Sequence, residues 1–229
     1  LFTLIAKEYG HKAPIIANTG SNSTKKTIAL TRAASHTGVH GVMTVVPYYN
    51  KPNQEGCYLH FKAIAENTDL PVMLYNVPGR TGGRLEPQTV ARLVQDCPNI
   101  TSIKEATGDI TVTQKLRQLI PNRDFMIYSG DDALTLDVIQ NGGEGVISVS
   151  AHIVGKEMQE MIRLFKAGQV QEARKIELSL VPVLKAMFIT TNPIPVKYAM
   201  RQLGFPTGPL LLPLCEPSVE EAQIIDAAI

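Results

Sequence analysis

A lysine, several tyrosines and an arginine stand where apolar, β-branched runs end in this chain, and together they could do carbonyl chemistry. The lysine is Lys104, near the end of Ile100-Thr101-Ser102-Ile103-Lys104-Glu105. This run favours a strand, and Gly108-Asp109 opens the next helix. A lysine at the C-terminal end of a parallel strand points to where α/β folds place their ligands. Burial there strips its proton, and the free amine can attack a ketone to give a Schiff base. Tyr75 closes the strand Val72-Met73-Leu74-Tyr75-Asn76, and Tyr49 lies in the loop Pro47-Tyr48-Tyr49-Asn50. Their phenols could move protons on and off such an adduct. Arg80, in Val77-Pro78-Gly79-Arg80-Thr81-Gly82-Gly83, offers a fork for a carboxylate. Singly, each has an ordinary explanation: a solvated lysine, half-buried packing tyrosines, a solvated turn arginine. Asp131 and Asp132 read as stabilisers of the helix N-terminus that follows them.

Six strands are expected to position these groups, at Pro14–Ala17, Gly41–Val46, Val72–Asn76, the lysine strand, Phe125–Ser129 and Gly145–Val149. The second is almost wholly apolar, as parallel strands buried on both faces tend to be. Helices alternate with them at Thr24–Ser35, Gln54–Asn67, from Pro87, after Gly108-Asp109 and after Asp131-Asp132. Val90, Leu93, Val94 and Cys97 mark one apolar helical face, and Leu116, Leu119 and Ile120 another. Beyond the sixth strand the chain reads as helical, with Met158, Met161, Ile162 and Phe165 on one face, a bend at Asn192–Lys197 and Ser218 capping the last helix. Strict alternation calls for a parallel sheet with right-handed crossovers. In a barrel all strand-end loops share one mouth, which would gather Asn18-Thr19-Gly20, Tyr48-Tyr49, Tyr75, Arg80, Lys104, Gly130-Asp131 and Ile147-Ser148. A doubly wound sheet is the alternative, although no G-x-G-x-x-G follows the first strand.

Composition narrows the class. The 229 residues are 44% hydrophobic and 19% charged, with a formal net charge of +1. That balance gives no field for nucleic acid or an anionic membrane, and no apolar run approaches a membrane span. Cys57, Cys97 and Cys215 form neither a zinc pattern nor a disulfide framework, which reads as a reducing, cytoplasmic setting. His11, His36, His40, His60 and His152 have no ligand spacing, so no catalytic metal is expected.

Six colinear motifs resemble the dihydrodipicolinate synthase family: Pro47-Tyr48-Tyr49-Asn50, Leu74 to Gly82, Ile103-Lys104-Glu105-Ala106, Ser129-Gly130-Asp131-Asp132, Gly145 to Val149 and Asn192 to Lys197. The resemblance implies a (β/α)8 TIM barrel with a C-terminal helical extension, divided as a partial barrel at 1–155 and a helical region at 156–229. It implies a homotetramer, a dimer of dimers. It implies condensation of pyruvate with L-aspartate 4-semialdehyde on the route through diaminopimelate to lysine, with no cofactor beyond the Schiff base of Lys104. Tyr75 then matches the proton donor and acceptor, and Tyr49 the relay tyrosine that enters the neighbouring subunit's site. Arg80 matches the holder of the semialdehyde carboxylate. Ile147 matches a residue whose backbone carbonyl faces bound pyruvate, and Gly130 belongs to the substrate-binding set. Keto-deoxy sugar-acid and sialic acid aldolases share the lysine and tyrosine but do not characteristically carry Arg80. A catalytically dead paralogue is the non-enzyme alternative.

Two departures accompany the resemblance. The family's early threonine loop is missing. The chain opens on Leu1 with what reads as the tail of a helix, so the expectation is that two βα units, roughly 60 residues at about 30 per unit, lie upstream. A chain without them is expected to be inactive in isolation. In the lysine feedback site, Asn22 and Tyr48 match, but the acidic position is Lys26, so lysine should inhibit weakly or not at all.

Overall fold

The apolar runs form strands and the capped stretches between them form helices. A computed structural model describes residues 1–122 and 124–229. The elements are α1 (Phe2–Tyr9), β1 (Ile16–Asn18), α2 (Thr24–Ser35), β2 (Gly41–Val45), α3 (Gln54–Ala65), β3 (Val72–Asn76), a one-turn α4 (Pro78–Thr81), α5 (Pro87–Asp96), β4 (Ile100–Glu105), α6 (Ile110–Leu119) and β5 (Met126–Ser129). A 3-10 turn (Asp132–Leu134), α7 (Thr135–Gln140), β6 (Gly145–Val146), α8 (Ala151–Lys166), α9 (Val170–Ala186), α10 (Ile194–Gln202) and α11 (Val219–Ala228) complete the chain. Side-chain oxygens set several helix starts. Asn53 accepts from Gly56 N–H at 2.8 Å, Asp109 accepts from Thr111 N–H at 2.9 Å, and Ser218 forms a full capping box with Glu221.

The six strands lie in one sheet in chain order, and every neighbouring pair is parallel. A doubly wound sheet reverses its order at a switch point, so that alternative is excluded. Two compact units divide the described chain, residues 1–146 and 147–229. In the first, Val42, Val72, Leu74, Ile103 and Ile127 of the sheet form one core with Phe61, Ile64, Leu93 and Leu116 of the helices. Each such side chain contributes about 1.5–3 kcal/mol by leaving water. On the other sheet face, Met43, Val45, Tyr75, Lys104, Met126 and Tyr128 are only half-buried. In the second unit, Val183, Ala186, Met187, Val196, Ala199 and Ile225 form a core of their own. Among the described residues, no helix is long and apolar enough to cross a membrane.

Some local expectations differ from what forms. The segment after β3 contains α4 where a plain loop was expected, because Pro78 starts a turn and Gly82 ends it at φ 71°. Only Gly145–Val146 of the run Gly145–Val149 pairs as strand. Leu119 is 38% exposed, at the edge of the stripe made by the buried Leu116 and Ile120. Helix α10 starts at Ile194, within the expected bend, since Pro195 in a first turn gives up no needed N–H.

His60 on α3 gives the fold a pH dependence. It is buried, its Nδ1 shares a 2.8 Å hydrogen bond with Thr24 Oγ1, and its Nε2 has no partner among the described residues. Burial lowers its pKa from 6.5 to about 4. The unfolded chain therefore takes up a proton that the folded chain refuses. Stability is complete above pH 6.5 and declines as pH falls through that value toward 4, by roughly 2 kcal/mol at pH 5. Urea titrations at pH 7.5 and 5 should show this loss, reduced by about that amount in His60→Gln; equal losses in both proteins would exclude His60 as its source.

Candidate active site

A bulge in β4 sets the phase of the site. Val72 pairs with Ile100, but Met73 pairs with Ser102, so Thr101 is the extra residue. Without it Tyr75 would lie opposite Ile103, and Lys104 would turn to the helix-covered face. With it, Tyr75 lies opposite Lys104, and Lys104 lies opposite Tyr128.

The Lys104 amine stands 4.5 Å from the centre of the Tyr75 ring. Burial is the largest influence on it and lowers its pKa; the Asp132 charge opposes this, and the Arg80 charge adds to it. Burial likewise raises the Tyr75 pKa, against the pull of Arg80. The result is an amine more readily freed of its proton than an exposed lysine, beside a phenol that keeps its own. The π-face of the ring favours the ammonium and so works against burial.

Gly130, just after β5, is required by close approach. A Cβ added there would stand 2.6 Å from Ala106 Cβ and 3.0 Å from Lys104 Cε, so a side chain would push the lysine stem aside. Of the two aspartates expected to serve the following helix, Asp131 does so, accepting from Ala133 N–H at 3.0 Å. Asp132 instead is 2% exposed, and its charge reaches Lys104. Sequence alone does not separate the two. Asp132→Asn should lower the pH at which Lys104 reacts half-maximally, because it removes the charge that favours the ammonium. Reductive trapping with a small keto acid across pH measures this, and an unmoved midpoint would contradict it.

Arg80 sits on α4 with its side chain exposed, and its charge reaches both Lys104 and Tyr75. The loop carrying Tyr49 docks on the same turn, with Tyr49 N–H donating to Thr81 C=O at 3.2 Å. The Tyr49 side chain is 87% exposed, and its backbone has φ 74°, a left-handed conformation uncommon outside glycine. Tyr48 is 41% exposed. Asn50 joins this loop to the one before α2, donating from Nδ2 to the Asn22 carbonyl at 2.9 Å. Ile147 is the half-buried first residue of the second unit. Tyr128 was not anticipated; it lies beside Lys104 in register, but its hydroxyl turns back to Met126 Sδ at 3.4 Å, which reads as packing.

A strand-end amine whose pKa burial lowers, facing a phenol whose pKa burial raises, on a sequentially ordered parallel sheet, is the equipment of an α/β enzyme that works on carbonyls through a lysine. The chain belongs to the Dihydrodipicolinate synthetase family, whose family model matches residues 1–229. It is 52% identical over 223 residues to the 4-hydroxy-tetrahydrodipicolinate synthase of Desulforudis audaxviator, covering 97% of this chain and 75% of that one. To the enzyme of the same name from Bacillus subtilis it is 49% identical over 229 residues, covering 100% of this chain and 79% of the relative. The structure of the 4-hydroxy-tetrahydrodipicolinate synthase from Methylacidiphilum fumariolicum superposes with a TM-score of 0.97 at 40% identity, covering 100% of this chain and 76% of that one. Dihydrodipicolinate synthase from Thermotoga maritima gives a TM-score of 0.95 at 40% identity, covering 99% of this chain and 78% of that one.

Proposed function

We propose that the protein condenses pyruvate with L-aspartate 4-semialdehyde to 4-hydroxy-tetrahydrodipicolinate through a Schiff base on Lys104. The observation that carries this reading is the desolvated Lys104 amine 4.5 Å from the Tyr75 ring centre, within a chain of this family. The free amine adds to the keto carbon of pyruvate, and the carbinolamine loses water to give an iminium. The iminium is an electron sink, so the adjacent methyl group loses a proton and becomes an enamine carbon. That carbon attacks the aldehyde of the second substrate. The substrate's own amine then closes the ring onto the iminium carbon and releases Lys104. Tyr75 supplies and recovers protons in these steps, which is work for a phenol that burial keeps protonated. The covalent adduct does the electronic work, without a metal or organic cofactor.

Arg80 pairs with the carboxylate of the semialdehyde. The absence of a side chain at Gly130 leaves the Lys104 stem in place for pyruvate. The half-buried sheet face, with Ile16 44% exposed at its edge strand, supports reading the six strands as part of an eight-stranded barrel. The exposed Tyr49, held in its uncommon backbone conformation, supports a role in the site of a second copy within a homotetramer. Asn22 and Tyr48, on loops joined through Asn50, are the positions for lysine feedback, weakened by Lys26.

Arg80→Ala tests the choice of second substrate. Losing a charge-assisted pair costs about 1.5–3 kcal/mol, so kcat/KM for the semialdehyde should fall roughly 10- to 150-fold. Imine formation with pyruvate should change little. Equal losses in both half-reactions would remove Arg80 from this role, and turnover of a sugar acid in place of the semialdehyde would favour the aldolase alternative.

A further inference from the structure

Behind Lys104 and Tyr75 lies a second pair, made of the next residue in each strand. Asn76 and Glu105 are in register and are 0% and 5% exposed. Side chains alternate along a strand, so both point to the sheet face away from the amine. Leu85 N–H donates to Asn76 Oδ1 at 3.0 Å, and Asn76 Nδ2 donates to Leu85 C=O at 3.1 Å. These two bonds fix which way the amide faces. Nδ2 also donates to Glu105 Oε2 at 2.9 Å, and Thr107 N–H donates to Glu105 Oε1 at 2.7 Å. Both carboxyl oxygens thus receive donors, the pattern an ionised carboxylate satisfies. Burial pushes the Glu105 pKa up, while the Thr107 and Asn76 donors and the Arg84 charge pull against it. The backbone closes the same knot: Ala106 N–H donates to Asn76 C=O at 2.8 Å, and Gly130 N–H to Glu105 C=O at 2.7 Å.

The network therefore ties four parts of the site together. It holds the end of β3 after Tyr75 and the end of β4 after Lys104. It hooks Leu85, where the chain returns from the Arg80 turn, and its backbone bond holds Gly130, where an added Cβ would meet the lysine stem. A buried carboxylate is costly to desolvate, and fixed donors on both of its oxygens offset that cost and make its placement directional.

We propose that Glu105, acting through Asn76, is the positioning residue of the site, locking the two strand ends and the return of the Arg80 turn so that the Lys104 amine faces the Tyr75 ring. The proposal rests on Lys104 forming the Schiff base. It assigns Glu105 no contact with substrate; its effect is transmitted through strand register and loop closure.

The test is the rate of borohydride-trapped adduct formation with pyruvate, followed across pH in the full chain. Glu105→Gln keeps the size of the side chain but turns one acceptor into a donor that faces another donor. The rate on the high-pH plateau should fall about 10- to 100-fold, the scale of a small misplacement of reacting groups, while the pH midpoint stays in place. The KM for the semialdehyde should rise with it. Asn76→Asp added to Glu105→Gln reverses the central bond: the new amide on β4 donates to the new carboxylate on β3 and still accepts from Thr107 N–H, while the carboxylate keeps the bond from Leu85 N–H and gives up the donation to Leu85 C=O. This double variant should recover several-fold of the lost rate. Glu105→Asp retains the charge but shortens the reach; it should show the same plateau loss even where the glutamine variant does not fold. A plateau within about twofold of wild type in the folded variants would overturn the proposal. So would a shifted midpoint with an unchanged plateau, which would mean that Glu105 acts by charge. Absence of any adduct in the wild-type chain would overturn the Lys104 reading and this proposal with it, whereas trapping in wild type with no effect at Glu105 overturns this proposal alone.

Discussion

Lys104→Ala should abolish the trapped adduct and lower condensation by on the order of 10³-fold or more, because no other group replaces a covalent nucleophile. The loss should appear in kcat, since the variant can still hold substrates but cannot form the electron sink. The fold should survive: Lys104 is half-buried on the more open sheet face, beside the Tyr75 ring and in register with Tyr128, and neither ring needs the amine to pack. Matching thermal midpoints with lost turnover would separate chemistry from stability. Activity within about tenfold of wild type would mean that the carbonyl is activated elsewhere.

Tyr75→Phe is the second large effect. The ring stays, so the packing beside Lys104 is preserved, and only the phenolic proton is lost. General acid–base catalysis is worth about 10²- to 10⁴-fold, so condensation should fall within that range. Both imine formation and the later cyclisation need proton transfer, so a presteady-state trapping assay should slow along with turnover. A variant that forms the imine at the wild-type rate would confine Tyr75 to the later step, and one that matches wild type throughout would leave it as packing.

The helical parts of this account were legible because their signals are local. Asp109 and Ser218 announce helix starts in the sequence and cap those helices in the structure, and the apolar positions Val90, Leu93 and Cys97 are buried at helical spacing. Lys104 and Tyr75 could be placed at strand ends for the same reason. Their alignment could not: it depends on the bulge at Thr101, and nothing in Ile100-Thr101-Ser102 distinguishes a bulged strand from a regular one. Asp131 and Asp132 look alike in sequence, yet the first caps a turn while the second is buried with its charge on Lys104, because a turn sends adjacent side chains in different directions. Glu105 was visible only as the neighbour of the lysine. Its partner Asn76 comes from 29 residues away, and no local pattern encodes a pairing between strands.

Reduction with borohydride in the presence of pyruvate, followed by peptide mapping, tests the central claim most directly. One pyruvate-derived adduct per chain on the peptide carrying Lys104, absent when pyruvate is left out and absent in Lys104→Ala, is the result this account predicts. An adduct carried by a different lysine, or a chain that stays unmodified, would contradict it.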